Sequence, residues 1–261
     1  MARRRFFVPE IRRGMAELSG RDAEHLVRVL RAEVGQLYEI SDNQDLYLAR
    51  IDVARKSLVC FRVVEKLDCP PIAPYLALLT ALFKFDRFEW LIEKATEMGV
   101  ALIQPFDATR TEQGLAQASA ARRARWERVA LEASQQSRRV QLPQIQATIP
   151  FAQAADFDAS VKLLLDESAL APPVRQQLPE ERSPDDRVAL MLGPEGGWTD
   201  QERSTALDAG WIACSLGSTI LRAETAGIAG MAVIRAAWDG AATPRAPRSP
   251  HPRVCRPPES S

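Results

Sequence analysis

The chain is poor in the residues that build metal sites and covalent frameworks, with four cysteines and two histidines among 261 residues. Cys60, Cys69, Cys214 and Cys255 show no C-x-x-C spacing, and His25 and His251 lie at opposite ends, so no structural zinc site is expected. A chain of this length buries enough surface to do without disulfides, and free thiols in a reducing compartment suit this cysteine usage. No apolar run approaches the roughly 20 residues needed to cross a bilayer. The stretch Arg3-Arg4-Arg5-Phe6-Phe7-Val8 has the charge of a secretory leader, but Pro9, Glu10 and Arg12 interrupt any apolar segment behind it. The expectation is a cytoplasmic protein with no membrane span and no metal. Net charge is also missing, because 34 basic residues balance 34 acidic ones.

That balance conceals an uneven distribution. Residues 1–31 hold eight Arg against four acids, and residues 110–139 hold seven against three. A guanidinium binds phosphate bidentately and stacks on bases, so these stretches suit nucleic acid, although solvated helix faces would look the same.

Two regions differ in pattern. Arg5–Pro9, Met15–Leu18, Gly35–Ser41, Tyr47–Val53 and Ser57–Val64 read as short strands, with a helix over Asp22–Arg31 that sets Leu26, Val29 and Leu30 on one face. The predicted unit is a small β-barrel-like domain. Cys69-Pro70-Pro71-Ile72-Ala73-Pro74 breaks regular structure and marks a boundary. Beyond it, strands alternate with helices, which predicts an α/β domain with a mostly parallel sheet. Strands are expected at Tyr75–Leu82, Val100–Phe106, Val161–Asp166, Val188–Leu192 and Trp211–Leu216. Asp86 and Glu89 form a capping-box pattern ahead of Phe88, Leu91, Ile92 and Ala95, and Thr199 with Glu202 forms another. A helix from about Ala118 to Val140 carries Trp126, Val129, Ala130 and Ala133 as a stripe, and Ala223–Trp238 is a last, nearly all-apolar helix. Residues 241–261, with six Pro and four Arg, are expected to form a disordered basic tail.

Two glycine turns carry the chemical signal. Leu192-Gly193-Pro194-Glu195-Gly196-Gly197-Trp198-Thr199 runs from a buried strand into a capped helix. It is neither G-x-G-x-x-G nor a phosphate-binding loop, and Glu195 would repel phosphate, whereas a sulfonium or a ribose would be accepted. Tight strand-to-helix turns also need glycine for geometry alone. Ser215-Leu216-Gly217-Ser218-Thr219-Ile220-Leu221-Arg222-Ala223-Glu224 is a second strand–turn–helix junction. Two such loops face one pocket at the carboxyl ends of adjacent strands, with Arg222 and Glu224 near it, though two charges this close are often an ordinary surface ion pair.

These stretches, with Ile220-Leu221-Arg222-x-Glu224-Thr225-Ala226, resemble the cofactor half of the uridine-N3 methyltransferases of 16S ribosomal RNA, a family of the SPOUT superfamily. Arg5-Phe6-Phe7-Val8, His25 to Arg31 and Val34-Gly35 resemble that family's amino-terminal RNA-binding domain. Lys84-x-x-Arg87-x-Glu89, Glu93 to Val100, Gln104-Pro105 and the Arg125 to Arg139 helix resemble its catalytic domain. Thr219 stands where the family has arginine, and Thr111-Glu112-Gln113 departs from its usual residues after Arg110.

The resemblance implies an α/β fold, with a trefoil-knotted parallel-sheet methyltransferase domain over 71–240 preceded by a small PUA-like β-barrel over 1–70. It implies S-adenosylmethionine as cofactor, 16S ribosomal RNA or the 30S subunit as partner, and a homodimer. Cofactor contacts would fall to Leu192, Gly193, Glu195, Gly196, Gly197, Ser215, Leu216, Gly217, Ile220 and Leu221. RNA contacts would fall to Arg5, Arg28, Arg31, Arg110, Arg138 and Arg139. Arg222 would stabilise a uracil anion, and Glu224 or Glu195 would accept the proton. A SPOUT ribose 2′-O-methyltransferase and a non-catalytic RNA-binding assembly protein remain alternatives. A serine hydrolase is disfavoured, because no G-x-S-x-G occurs.

Overall fold

The computed structural model describes residues 5–69, 72–168 and 171–239. The expected tail at 241–261 lies outside the described residues, as do Pro70 and Pro71 of the expected boundary.

Six strands form the first sheet: β1 (Arg5–Phe7), β2 (Ile11–Arg12), β3 (Met15–Ser19), β4 (Leu37–Ser41), β5 (Leu46–Arg55) and β6 (Leu58–Leu67). Their order is β1-β4-β5-β6-β3-β2, antiparallel except for β1 on β4. Phe6, Leu18, Leu26, Ile40, Ile51, Val59 and Phe61 fill its core. The helix predicted over Asp22–Arg31 is corrected. Helix α1 (Gly20–Glu24) passes into a π-helical turn at His25–Val29, and Arg31 then adopts a left-handed φ of 53°. The wider turn keeps Leu26 in the core but rotates Val29 off that face, leaving it 64% exposed.

The second sheet is parallel throughout. Its strands are β7 (Tyr75–Ala81), β8 (Leu102–Asp107), β9 (Gln144–Ile145), β10 (Ile149–Pro150), β11 (Val161–Leu165), β12 (Arg187–Leu192) and β13 (Ile212–Cys214), in the order β10-β8-β7-β12-β11-β13, with β9 also on β8. Both faces are covered, which is why β7, β11 and β12 read as continuous apolar runs rather than alternating ones. Leu76, Leu78, Leu163, Leu190 and Leu192 face α2 (Phe85–Glu97), α3 (Leu115–Gln136) and α6 (Ala223–Asp239), where Phe88, Trp126, Met231 and Ile234 meet them. Ala77, Leu79, Leu164, Ala189 and Met191 face the other side, against α4 (Phe151–Ala155) and α5 (Asp200–Asp208). On the first side α6 comes close: a Cβ on Gly227 would stand 2.8 Å from Leu192 and 2.9 Å from Leu91.

The capping box predicted at Asp86 and Glu89 does not form. Helix α2 begins at Phe85 after Lys84, with no side-chain cap, and Glu89 instead pairs with Arg125 at 2.7 Å. Phe88, Leu91 and Ile92 bury this helix, so packing holds it where the cap is absent. Its carboxyl end is closed from outside. Arg139 donates to Thr96 O, and Arg235 donates to Met98 O and Gly99 O, satisfying carbonyls that a helix terminus leaves open.

The turn after α3 docks on the first sheet. Arg5 donates to Arg138 O, Ser41 Oγ donates to Val140 O at 2.6 Å, Leu142 N donates to Asn43 Oδ1 at 2.7 Å, and Arg128 pairs with Asp22 at 2.9 Å. Among the described residues no helix is long and apolar enough to cross a membrane.

Candidate functional site

Strands β12, β11 and β13 are adjacent and parallel, so the segments 193–199, 166–168 and 215–222 leave the same edge of the sheet. The first leads into α5 and the last into α6, on opposite faces. The ends of β12 and β13 are separated by β11 rather than adjacent as expected, and helices that diverge from them to opposite faces imply a crevice between their loops.

The 193–198 loop is tightly determined. Trp198 is buried and donates from Nε1 to Leu165 O at 2.8 Å, which ties the loop to the end of β11. Gly193 lies against that indole, where a Cβ would stand 2.8 Å from the ring. Gly197 has a φ of 72°, and its Cβ position is 2.3 Å from Glu167 Oε1. Arg110 donates from Nη1 to Gly196 O at 3.0 Å and to Trp198 O at 3.3 Å. The predicted cap at Thr199 is present: Glu202 N donates to Thr199 Oγ1, and Glu202 Oε2 accepts from Thr199 N. Glu202 Oε1 also accepts from Thr109 N at 2.8 Å, fastening the segment after β8 to this loop. Burial alone would raise the Glu202 carboxyl, but the N–H groups of Thr109 and Thr199 hold it below its ordinary value. Burial likewise opposes ionisation of Asp166, yet bonds from Arg203 and Ser168 N keep its carboxyl low. The glycines at 193 and 197 thus serve packing and backbone geometry, while Glu195 and Gly196 are the loop's exposed residues.

The 215–222 segment is its opposite. Ser215 is held, giving its hydroxyl to Ala171 O and its N–H to Pro172 O. Beyond it Gly217, Ser218, Thr219, Ile220 and Arg222 are all exposed, Ile220 at 84%. Gly217 has a φ of 123° and nothing within 4 Å of its Cβ position, so the turn needs glycine for conformation and leaves open space beside it.

Arg222 immediately precedes α6, and Glu224 lies in that helix's first turn. The ion pair considered between them does not form. Glu224 is buried, its Oε1 stands 3.9 Å from Arg87 Nε, and its Oε2 has no hydrogen-bond partner among the described residues. Arg87 also donates from Nη1 to Glu195 Oε1 at 2.6 Å. A carboxylate oxygen without a donor is costly when buried, so this end of α6 is arranged to receive a hydrogen-bond donor.

Of the residues assigned by resemblance to the cofactor, Glu195, Gly196, Gly217 and Ile220 are exposed on the two loops, and Leu216 and Leu221 are partly covered beside them. Leu192 and Ser215 are engaged in the core and in the Ala171 and Pro172 contacts. The six arginines assigned to RNA separate likewise. Arg28, Arg31 and Arg138 are exposed, and Arg110 lies on the glycine loop. Arg5 is buried against Glu39 and Arg138 O. Arg139 is buried with its guanidinium on Thr96 O and Gln141 O, and desolvation beside Arg235 pulls it down to about 10. Along α3, Arg123, Arg125 and Arg128 are paired with Glu127, Glu89 and Glu132. Arg87 stood in the Lys84-x-x-Arg87-x-Glu89 motif but was given no place beside the glycine loops, since its partner Glu195 lies 108 positions away.

A family model described as an RNA methyltransferase domain matches residues 71–235. The chain is 33% identical over 242 residues to ribosomal RNA small subunit methyltransferase E of Synechocystis sp., covering 90% of this chain and 78% of that protein. It is 31% identical to the protein of the same name from Bacillus subtilis, covering 83% of this chain and 88% of the relative. The crystal structure of ribosomal RNA small subunit methyltransferase E from Neisseria gonorrhoeae, bound to S-adenosyl methionine, matches with a TM-score of 0.80 at 29% identity, covering 91% of this chain and 98% of the other.

Proposed function

This chain belongs to the ribosomal RNA small subunit methyltransferase E family, and from that premise we propose that it transfers a methyl group from S-adenosylmethionine to N3 of a uridine in 16S ribosomal RNA. It is an S-adenosylmethionine-dependent methyltransferase of small-subunit ribosomal RNA. The observation that carries the finer reading is the start of α6, where exposed Arg222 and a buried carboxylate with an unpartnered oxygen stand at the mouth of the crevice.

The residues fit the cofactor. The open turn at 217–220 offers exposed backbone, Glu195 offers a carboxylate that a cationic ligand tolerates, and Glu224 Oε2 has no donor among the described residues. When bound, S-adenosylmethionine supplies an electrophilic methyl group on a sulfonium. The chain's part is to present the base. Uracil N3 is a weak acid that must lose its proton before it can be methylated, and a fixed guanidinium at Arg222 would stabilise the resulting anion. Glu224 is the candidate acceptor for that proton, with Glu195 as the other carboxylate in reach of Arg87. N3 lies on the Watson–Crick edge, so the uridine must be unpaired or flipped out.

Arg28, Arg31 and Arg138 hold the flanking RNA through phosphates in this reading, while the buried Arg5 ties the first sheet to the turn after α3 and the buried Arg139 ties that turn to the end of α2. The segment 1–70, which contains the first sheet, would be a PUA-like RNA-binding unit, and the segment 71–240, which contains the parallel sheet, a trefoil-knotted catalytic unit. A homodimer, supported by the exposed Ile220 at the mouth of the site, and a cytoplasmic location complete the proposal.

The test is incubation of 30S subunits lacking the modification with labelled S-adenosylmethionine, followed by mass-spectrometric mapping. Label on uridine N3 is expected. Label on a ribose 2′ oxygen would overturn the atom assignment, and no incorporation would overturn the assembled 30S subunit as the substrate.

A further inference from the structure

Two loops form the walls of the crevice, and one cation joins them. Arg87, in the first turn of α2, donates to Glu195 Oε1 at 2.6 Å on the 193–198 loop and stands 3.9 Å from Glu224 Oε1 on α6. It belongs to neither wall. Its position is fixed from behind, since α2 buries Phe88, Leu91 and Ile92 in the core, one and four and five residues on.

We propose that Arg87 is a positioning residue that clips the Glu195 loop to the start of α6 and so sets the separation of the two cofactor walls; the inference rests on the cofactor reading above. The physical reason lies in Glu224. Its side chain is 7% exposed, and Arg87 is the cation the structure gives it. A buried carboxylate deprived of its cation either takes up a proton or moves toward water, because desolvation then has no compensation. Such a movement would carry the first turn of α6 away from the Glu195 loop. Arg87 itself is 32% exposed, so its attraction is partly screened and the effect on the site should be moderate rather than total. The planar fork also matters: Nη1 serves Glu195 while Nε faces Glu224, a division between two separated nitrogens that a lysine ammonium, whose donors all leave one atom, reproduces only in part.

Calorimetric titration of S-adenosylmethionine into the full chain and three variants tests this. Arg87→Ala should weaken affinity on the order of tenfold, the loss typical of one charge-assisted contact. Arg87→Lys should recover part of it. Glu195→Gln should weaken affinity too, and Arg87→Ala combined with Glu195→Gln should weaken it by clearly less than the product of the two single losses, since both remove one clip. A residue that merely stabilises α2 would lower the unfolding temperature without changing the affinity of the folded protein. Wild-type binding with unchanged affinity in Arg87→Ala, or losses that multiply in the double variant, would overturn the clip. A wild-type protein that binds no S-adenosylmethionine would instead overturn the cofactor reading, and the clip with it.

Discussion

The 193–198 loop and the 215–222 segment both carry a parallel strand into a helix at the same edge of one sheet, and they are built on opposite plans. The first is over-determined. An indole hydrogen bond to Leu165 O, Arg110 on two carbonyls and the Glu202 contacts to Thr109 and Thr199 leave it one arrangement. The second is anchored at Ser215 and again at α6, with five exposed residues at 217–220 and 222 between. A rigid wall and an open one suit a site that must hold a small molecule in register while admitting a large one. In the proposed reading the rigid wall gives position, and the open wall, which carries Arg222, is the one that would meet the substrate.

The comparison breaks first at Trp198. Trp198→Ala should cost about 3–5 kcal/mol in denaturant unfolding, because it removes a buried ring and the bond that ties the loop to β11. A loss below about 1 kcal/mol would mean that the loop is not held as described. Arg222 is the converse case, with chemistry at stake and little stability. Arg222→Ala should lower single-turnover rates by roughly 10²–10³ under saturating RNA and cofactor, with little change in affinity for S-adenosylmethionine. Arg222→Lys should remain slow, since it keeps charge without the planar fork. A rate within about threefold of wild type for Arg222→Ala would leave it an exposed side chain with no part in the chemistry.

Glu202 gives a smaller effect with a definite sign. Its folded carboxyl is held below its ordinary value, so its contribution is present above the ordinary carboxylate range and is lost as pH falls through the folded value. Glu202→Gln should cost about 1–3 kcal/mol at neutral pH, and its deficit against wild type should shrink on acidification below about pH 4. A deficit that grows with acid would reverse the assignment. Arg31 lies outside both loops and serves as a control: Arg31→Ala should reduce the salt slope of RNA binding by about one unit without altering cofactor affinity.

Much of this was legible in the residues themselves. Strands β7, β11 and β12 read directly because both faces of a parallel sheet are buried, and the Thr199 cap read directly because its partner is three residues away. What failed was long-range or irregular. Asp86 and Glu89 matched a cap pattern, but Glu89 reaches α3 instead. Val29 fell on the wrong face because the π-helical turn changes the period. Strands β9 and β10 and helix α4 are too short to carry a period. The resemblance marked the arginines at 5, 110 and 139 as RNA ligands, whereas only the fold reveals the carbonyls they serve. Arg87 and Glu195 could not be joined by reading along the chain, and the unpartnered oxygen of Glu224 has no sequence signature.

The division of labour between the two loops is tested most directly by amide hydrogen exchange with and without S-adenosylmethionine. Without ligand, Gly197, Thr199 and Glu202 should already exchange slowly, because their N–H groups are bonded to Pro194 O, Glu202 Oε2 and Thr199 Oγ1, while residues 217–221 should exchange fast. Saturating cofactor should slow 217–221 by at least about tenfold and leave the first group little changed. Slow exchange at 217–221 in the free protein, or no response there to a cofactor that binds, would contradict the account.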